Sequence, residues 1–280
     1  MAWLVRASKH VVGYCWPMGK IMVLAPVLAL IALGSAPTAD ACSCVPPRVR
    51  MMAGRIDATL VVPRNAQIRV GIPDEAFKVD PNTVMLVSTA KSGPPANVPV
   101  DRKVFTTGAI QNVVLTPKSP LLAKTAYRVM AVTEKGGAPQ LVGEVMTDDT
   151  VDDEAPTWSG TVTGYLDKTP AVCCICQTGE PYFVLSVGTD AKDNTTKPDD
   201  FAWGVWAGSP TFDPKAPMLA MVGAYRGKTS LGHSSICSPS NFDVPATGKT
   251  SVLWIAPIDL AGNIGTPAKV TIDLTKPVTK

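Results

Sequence analysis

The sequence is short of charge, nearly empty of histidine, and has no apolar run long enough to cross a membrane. Charged residues make up 18% of the 280 positions, below the roughly 25% of an ordinary globular chain. The formal net charge is +3, but Arg6, Lys9, Lys20 and Asp40 all precede Cys42, leaving 23 basic and 22 acidic groups in the remainder. No basic field is left to draw in nucleic acid or an anionic membrane surface. Only His233 lies beyond the first forty residues, so any serine or cysteine triad would have to use it. G-x-S-x-G, H-E-x-x-H and a phosphate-cradling glycine loop are all missing. Gly232-His233-Ser234-Ser235 beside Cys237 reads as a polar loop. These absences describe a non-enzymatic chain with no cofactor.

What the chain does have begins with a leader. Ile21 to Leu33 is a run of thirteen apolar residues, preceded by Gly19-Lys20 and followed by GSAPTADA. That is a signal-peptide core, too short to span a bilayer. The small-x-small end Ala39-Asp40-Ala41 places cleavage before Cys42, so residues 1–41 are expected to leave. Met18-Gly19-Lys20 would itself make a compact basic start, and translation is expected to begin at Met1 or at Met18. The exported chain is expected in the periplasm, at the outer-membrane surface or outside the cell, with a cell-envelope or extracellular component as partner and no transmembrane helix. A lipid on Cys42 is the alternative to free release, although Asp40 and Ala39 fit a lipoprotein signal poorly.

Six cysteines follow the leader: Cys42, Cys44, Cys173, Cys174, Cys176 and Cys237. An even number in an exported chain reads as up to three disulfides, with fifteen connectivities open. The vicinal pair Cys173 and Cys174 would strain a ring if joined, so each is expected to pair elsewhere, one of them with Cys237. A zinc site from Cys173, Cys174, Cys176, His233 and Cys237 is the rival reading, against which stand the oxidising compartment and the absence of a two-residue spacer.

Proline and glycine, 26 and 22 residues, mark many turns and few long helices. Between clusters such as Pro73-Asp74, Asp80-Pro81-Asn82 and Pro117-Lys118-Ser119-Pro120 lie short alternating segments. Ile68, Val70 and Ile72 share one face, as do Tyr127, Val129 and Ala131, and 83–88 and 112–115 are further β-prone runs. Short strands at this spacing suggest a β-sandwich.

The stretches VPRNAQIRVGIPDEAFKVDPNTVML, VVLTPKSPLLAKTAYRVMAV and LVGEVMTDDTVDDEAP carry an apolar strand ending in Leu115-Thr116-Pro117, a Pro120-Leu121 pair, and Thr125-x-Tyr127 opening the next strand. On these motifs the region of about 55–155 resembles the bacterial Ig-like domain family of the S-layer (SbsA Ig-like) type. The resemblance implies an all-β fold and a structural or adhesive role at a cell surface. The later part is similar to secreted Ig-like or fibronectin-like modules at its ending, SVLWIAPIDLAGNIGTPAKVTIDLT, where Asp259-x-Ala261-Gly262-Asn263 forms the hairpin turn. Here Phe183, Leu185 and Val187 share a face, and 219–224, 251–258 and 269–274 are strand candidates.

The expected organisation is a leader at 1–41, a Cys-containing segment at 42–54, an Ig-like sandwich at 55–147, an acidic linker at 148–155, and a second sandwich at 156–280 with long disulfide-stapled insertions around 189–217 and 226–247. In the linker Asp148, Asp149, Asp152, Asp153 and Glu154 are candidate calcium ligands, since a hard cation takes six to eight oxygens. Their density reads first as a solvated linker that repels itself and stays extended, so no metal is assigned. Asp190, Asp193, Asp199 and Asp200 read as a polar insertion. The alternative function is a ligand-binding module for a carbohydrate, peptide or metal on the second-domain loops, with Trp203, Trp206 and Tyr225 as candidate contacts. Trp203 and Trp206, three apart on a strand, would face opposite sides, one toward the core.

Overall fold

The computed structural model describes residues 49–52, 59–73, 79–89, 95–107, 110–133, 136–167, 182–208, 211–223, 227–231 and 248–277. The first nine strands are β1 (Arg50–Met51), β2 (Leu60–Val62), β3 (Ile68–Pro73), β4 (Met85–Ser88), β5 (Ala96–Asn97), β6 (Val100–Thr107), β7 (Ile110–Pro117), β8 (Ala126–Ala131) and β9 (Gln140–Thr147). They form two sheets, ordered β1-β3-β7-β6 and β2-β9-β8-β4-β5. All pairs are antiparallel except β2 with β9, where Leu60–Val62 runs parallel to Val145–Thr147. In immunoglobulin lettering these sheets are A-B-E-D and A′-G-F-C-C′, which makes the first module an Ig-like sandwich by strand order alone.

Its interior is set by the alternation visible in the sequence. Ile68, Val70 and Ile72 from β3, Val113 and Leu115 from β7, Tyr127, Val129 and Ala131 from β8, and Leu86 from β4 meet in one core. Tyr127 buries its ring there, and its hydroxyl accepts a hydrogen bond from the Leu122 N–H at 2.9 Å. That is the tyrosine corner of Ig folds, on the β8 position where such sandwiches carry it. The segment from Pro117 to Leu121 therefore turns the chain over a ring whose polar end is satisfied.

The second module holds β10 (Val162–Asp167), β11 (Tyr182–Val187), β12 (Ala202–Ala207), β13 (Met218–Gly223), β14 (Lys228–Leu231), β15 (Thr250–Ile258) and β16 (Ala268–Asp273). Its sheets run β10-β11-β14 and β13-β12-β15-β16, again antiparallel. Phe183, Leu185, Trp203, Val205, Leu253, Ile255 and Ile272 fill the space between them. The region expected as an insertion around 189–217 is corrected here: it contains β12, a central strand, and β14 falls within the other insertion.

Burial patterns then separate the four sheets into two kinds. Outer strands alternate: β11 and β8 bury every second residue. Inner strands do not. Ile68 to Ile72 of β3 are buried throughout, as are Asn112 to Leu115 of β7, Ala202 to Trp206 of β12 and Ile255 to Ile258 of β15. A strand buried along consecutive residues has cover on both faces. Part of the cover on β12 and β15 is the second module's own β12–β13 loop, which supplies Phe212 and Ala216, and part is the other module. Val114 packs with Ala202, Trp206, Met221, Ala256 and Ile258, and Phe105, Met218, Trp254 and Ile264 border the same cluster. Gly204 leaves room for this layer, since a Cβ there would stand 2.5 Å from the Trp206 ring.

Leu260 carries the contact further. It sits in the turn after β15 in the second module, yet it is buried in the core of the first. Gln67 donates its backbone N–H to the Leu260 carbonyl at 2.7 Å, so side chain and backbone of one turn both serve the neighbouring sandwich. Leu260→Ala should cost about 3 kcal/mol, the usual loss for emptying a buried leucine site. Denaturant unfolding followed by amide exchange in β3 and β8 checks that the loss falls on the first module as well as on the second.

Candidate metal centre at the module junction

The chain between the modules is exposed over most of 149–155, but Asp152 is 0% exposed, which corrects the expectation of a linker solvated along its whole length. Two asparagines hold its backbone. Asn65 donates Nδ2 to the Asp152 carbonyl at 2.8 Å and accepts the Asp152 N–H at 3.0 Å, while Asn263 Nδ2 donates to the carbonyls of Asp152 and Glu154 at 3.1 and 3.0 Å. One asparagine precedes β3 and the other follows β15, so the linker is clamped by both modules. Buried backbone groups must find partners, and here they find them across the junction.

Of the five linker acids considered as calcium ligands, four are occupied or turned outward. Asp148 accepts from the N–H and hydroxyl of Thr150, Asp149 pairs with Lys124 at 3.3 Å, and Asp153 and Glu154 are exposed. Only Asp152 points inward, and it meets two acids that lie far away in the chain. One carboxylate oxygen each of Asp152, Asp193 and Asp259 lie within 4.8 Å of one another.

Local backbone geometry sets each of these groups. Asp193 opens a turn in which Oδ2 accepts the N–H groups of Thr195 and Thr196 at 3.0 and 2.8 Å. Burial works against its ionisation, but these hydrogen bonds outweigh it and its pKa is lowered. Asp259 closes the hairpin turn: Oδ1 accepts the N–H groups of Gly262 and Asn263 at 2.7 and 2.9 Å. Its other oxygen, Oδ2, is buried with no partner. Burial pushes the Asp259 carboxyl up to about 6, opposed first by the Asn263 side chain and then by the turn's N–H groups, with the negative charge of Asp152 adding to the rise. Asp152 Oδ1 accepts the Glu154 N–H at 3.2 Å.

Between Asp152 and Asp193 stands the Thr195 hydroxyl, 2.6 Å from Asp152 Oδ2 and 3.0 Å from Asp193 Oδ2. A hydroxyl carries a single proton, so it serves one carboxylate fully at a time. A positive charge that acts on Asp259 is Arg69, on the face of β3 that looks toward the second module. Arg69 is 3% exposed, and its Nη2 donates to the backbone carbonyl of Asp259. Burial lowers its pKa to about 10, opposed by the charge of Asp259, and it remains a cation at neutral pH. Three carboxylates and one guanidinium leave the junction two charges negative. Oxygen-only donors of this kind suit a hard cation; with no sulfur or imidazole among them they do not suit zinc.

The aromatic candidates have another use. Trp203 is 4% exposed in the second core, edge-on to Trp158 at 5.0 Å, and Trp206 is 2% exposed between the modules, edge-on to Phe212 at 5.1 Å. Trp206 is enclosed between the modules, whereas Trp203 borders a small pocket with Thr189, Pro198 and Asp199. They do face opposite ways, as their spacing requires. Tyr225, His233 and all six cysteines, Cys42, Cys44, Cys173, Cys174, Cys176 and Cys237, lie outside the described residues. Asp193 was readable as a polar loop residue and Asp259 as a turn residue, but nothing local marked them as partners of Asp152.

No protein-family model matches the chain, and no curated protein matches its sequence. Among solved structures it is similar to the fibronectin(III)-like modules of Clostridium thermocellum CbhA, at 11% identity over 81% of this chain and 94% of that one, with a TM-score of 0.24. It is also similar to the N-terminal Ig1-2 module of the Drosophila receptor protein tyrosine phosphatase DLAR, at 10% identity over 81% of this chain and 99% of that one, with a TM-score of 0.30. Superpositions this loose carry no argument; the fold rests on strand order and the tyrosine corner.

Gly262 tests the turn that places Asp259. Its φ is +96°, and a Cβ there would stand 2.2 Å from Cδ of Gln67 in the first module. Gly262→Ala should destabilise by about 1–3 kcal/mol, the cost of holding an L-residue in that region. Thermal melts compared with Gly248→Ala, where φ is +63° and a Cβ would meet nothing within 4 Å, separate the backbone cost from the junction cost.

Proposed function

We propose that this chain is a non-enzymatic structural or adhesive protein of the cell envelope or the extracellular space, built to hold two Ig-like modules in one fixed arrangement. The observation that carries this reading is how the polar residues at the junction are used: Arg69 and Thr196, which are buried, and Asn65 and Asn263, which are half-buried. Asn65 and Asn263 bond to the linker backbone from the first and the second module, and Arg69 of the first module bonds to the Asp259 carbonyl of the second. Thr196 braces the last turn within the second module by accepting the Leu260 N–H at 3.0 Å. Such bonds fix orientation. A pair of sandwiches joined this way is a spacer or presenting element, in keeping with the similarity of 55–155 to the S-layer type of bacterial Ig-like domain. The leader at 1–41 and the paired cysteines belong to the same reading, since disulfides persist only outside the reducing cytosol. The partner is an envelope or extracellular component, and Cys42 is either the free N-terminus or a lipid anchor.

Cell fractionation with intact-mass measurement checks this. The protein should be recovered outside the cytoplasm, shortened by residues 1–41, and should co-sediment with envelope preparations or be found in the medium. Recovery of the unprocessed chain in the cytoplasm, or turnover of a substrate by the purified protein, would overturn the reading.

A further inference from the structure

Three acids from three separate segments converge at the junction, and one of them has no use for its second oxygen within the protein. Asp152 comes from the linker, Asp193 from the loop after β11 and Asp259 from the turn after β15. Like charges brought this close cost free energy unless something positive is shared between them. Arg69 supplies only part of that charge: its bond reaches the Asp259 backbone carbonyl, and its charge leaves two negative charges uncompensated. The separate pointer to a ligand is Asp259 Oδ2. Asp259 is 0% exposed, its Oδ1 is fully engaged by two backbone N–H groups, and Oδ2 has neither donor nor solvent. A buried carboxylate oxygen without a hydrogen bond is costly, and here it belongs to one of three acids whose carboxylates converge within 4.8 Å.

We propose that Asp152, Asp193 and Asp259 hold a calcium ion that locks the two modules together. Calcium–oxygen distances of about 2.3–2.6 Å allow ligands of one ion to stand up to about 5 Å apart, and the three carboxylate oxygens fall inside that limit at 4.8 Å. The ion supplies the two positive charges the junction lacks. It also gives Asp259 Oδ2 a partner and relieves the carboxylates that share the single Thr195 proton. Magnesium fits less well, because it demands near-octahedral geometry and keeps several waters, whereas two of the three acids are fully enclosed. The nearby Arg69 charge weakens attraction for any cation, which places the affinity in the range of extracellular calcium modules rather than cytosolic buffers. The site depends on the junction residues alone and stands whether or not the protein proves to be an envelope component.

Calorimetry on the purified full-length protein, first stripped with chelator, tests the proposal. One calcium should bind per chain with a dissociation constant on the order of 10⁻⁴–10⁻³ M, magnesium should bind about tenfold more weakly or worse, and the melting temperature should rise with calcium and fall back with chelator. Asp193→Asn keeps a carbonyl for the Thr195 and Thr196 N–H groups, so it should fold; it should weaken calcium about tenfold or more, while Asp153→Asn, a change at an exposed linker acid, stays within about twofold. Equal weakening by Asp153→Asn, or full affinity in Asp193→Asn, would overturn the site. Should Asp193→Asn fail to fold, the unsubstituted protein decides: no heat and no shift in melting at about 10 mM calcium, ten times the weak end of the expected range, would overturn it.

Discussion

The central strands of the inner sheets are buried on both faces over most of their length, and that constraint shapes the rest of the molecule. A sheet with one covered face can end a domain, but β12 and β15 on one side, and β3 and β7 on the other, have apolar or unsatisfiable groups facing outward from their own cores. Ala256 and Ile258 share a cluster with Val114 across the junction, and Trp206 stands between that cluster and Phe212 of its own module. At about 25 cal/mol per Å² of apolar surface, leaving such a layer in water would be expensive for either module alone. Stacking the modules removes the cost and leaves four sheets in succession: β10-β11-β14, β13-β12-β15-β16, β1-β3-β7-β6 and β5-β4-β8-β9-β2.

Stacking creates a second problem, which is polar. The linker has to run along the edge of this stack, and the last turn of the second module has to press into the first. Both bring backbone N–H and carbonyl groups out of water. Asn65 and Asn263 answer for Asp152 and Glu154, Gln67 and Thr196 answer for Leu260, and Arg69 answers for Asp259. The carboxylates of Asp152, Asp193 and Asp259 are a by-product of the same geometry. Each is first of all a turn-forming residue whose side chain caps N–H groups two to four residues on, and the junction brings the three turns together.

The sequence was most legible where burial is one-sided. Phe183, Leu185 and Val187, and Tyr127, Val129 and Ala131, alternate because one face of β11 and of β8 meets polar surroundings. The tyrosine corner could be read for the same local reason: Pro117, Pro120 and Tyr127 lie within a few residues of one another. Legibility failed where two-sided burial erased the alternation, as in Ala202–Ala207, whose AWGVWA reads as neither period. It failed again for β6, an edge strand whose VDRKVFTT is polar because most of it faces solvent. The acidic linker misled for a related reason. Five acids in seven residues look solvated by composition, yet one of them, Asp152, is buried by partners 41 and 107 residues further on, at Asp193 and Asp259. Spacing on that scale leaves no periodic trace.

The central claim is that the two sandwiches form one cooperative body, and the tryptophans make it testable. All four tryptophans beyond the leader lie in the second module, where Trp158 and Trp203 report its core and Trp206 and Trp254 its contact with the first module. Equilibrium denaturation should be followed at once by tryptophan emission and by amide exchange in β4 and β8 of the first module. Coincident midpoints, the mark of a single cooperative transition, are the predicted result. Two separated transitions, with the first module persisting after tryptophan emission has changed, would contradict the account.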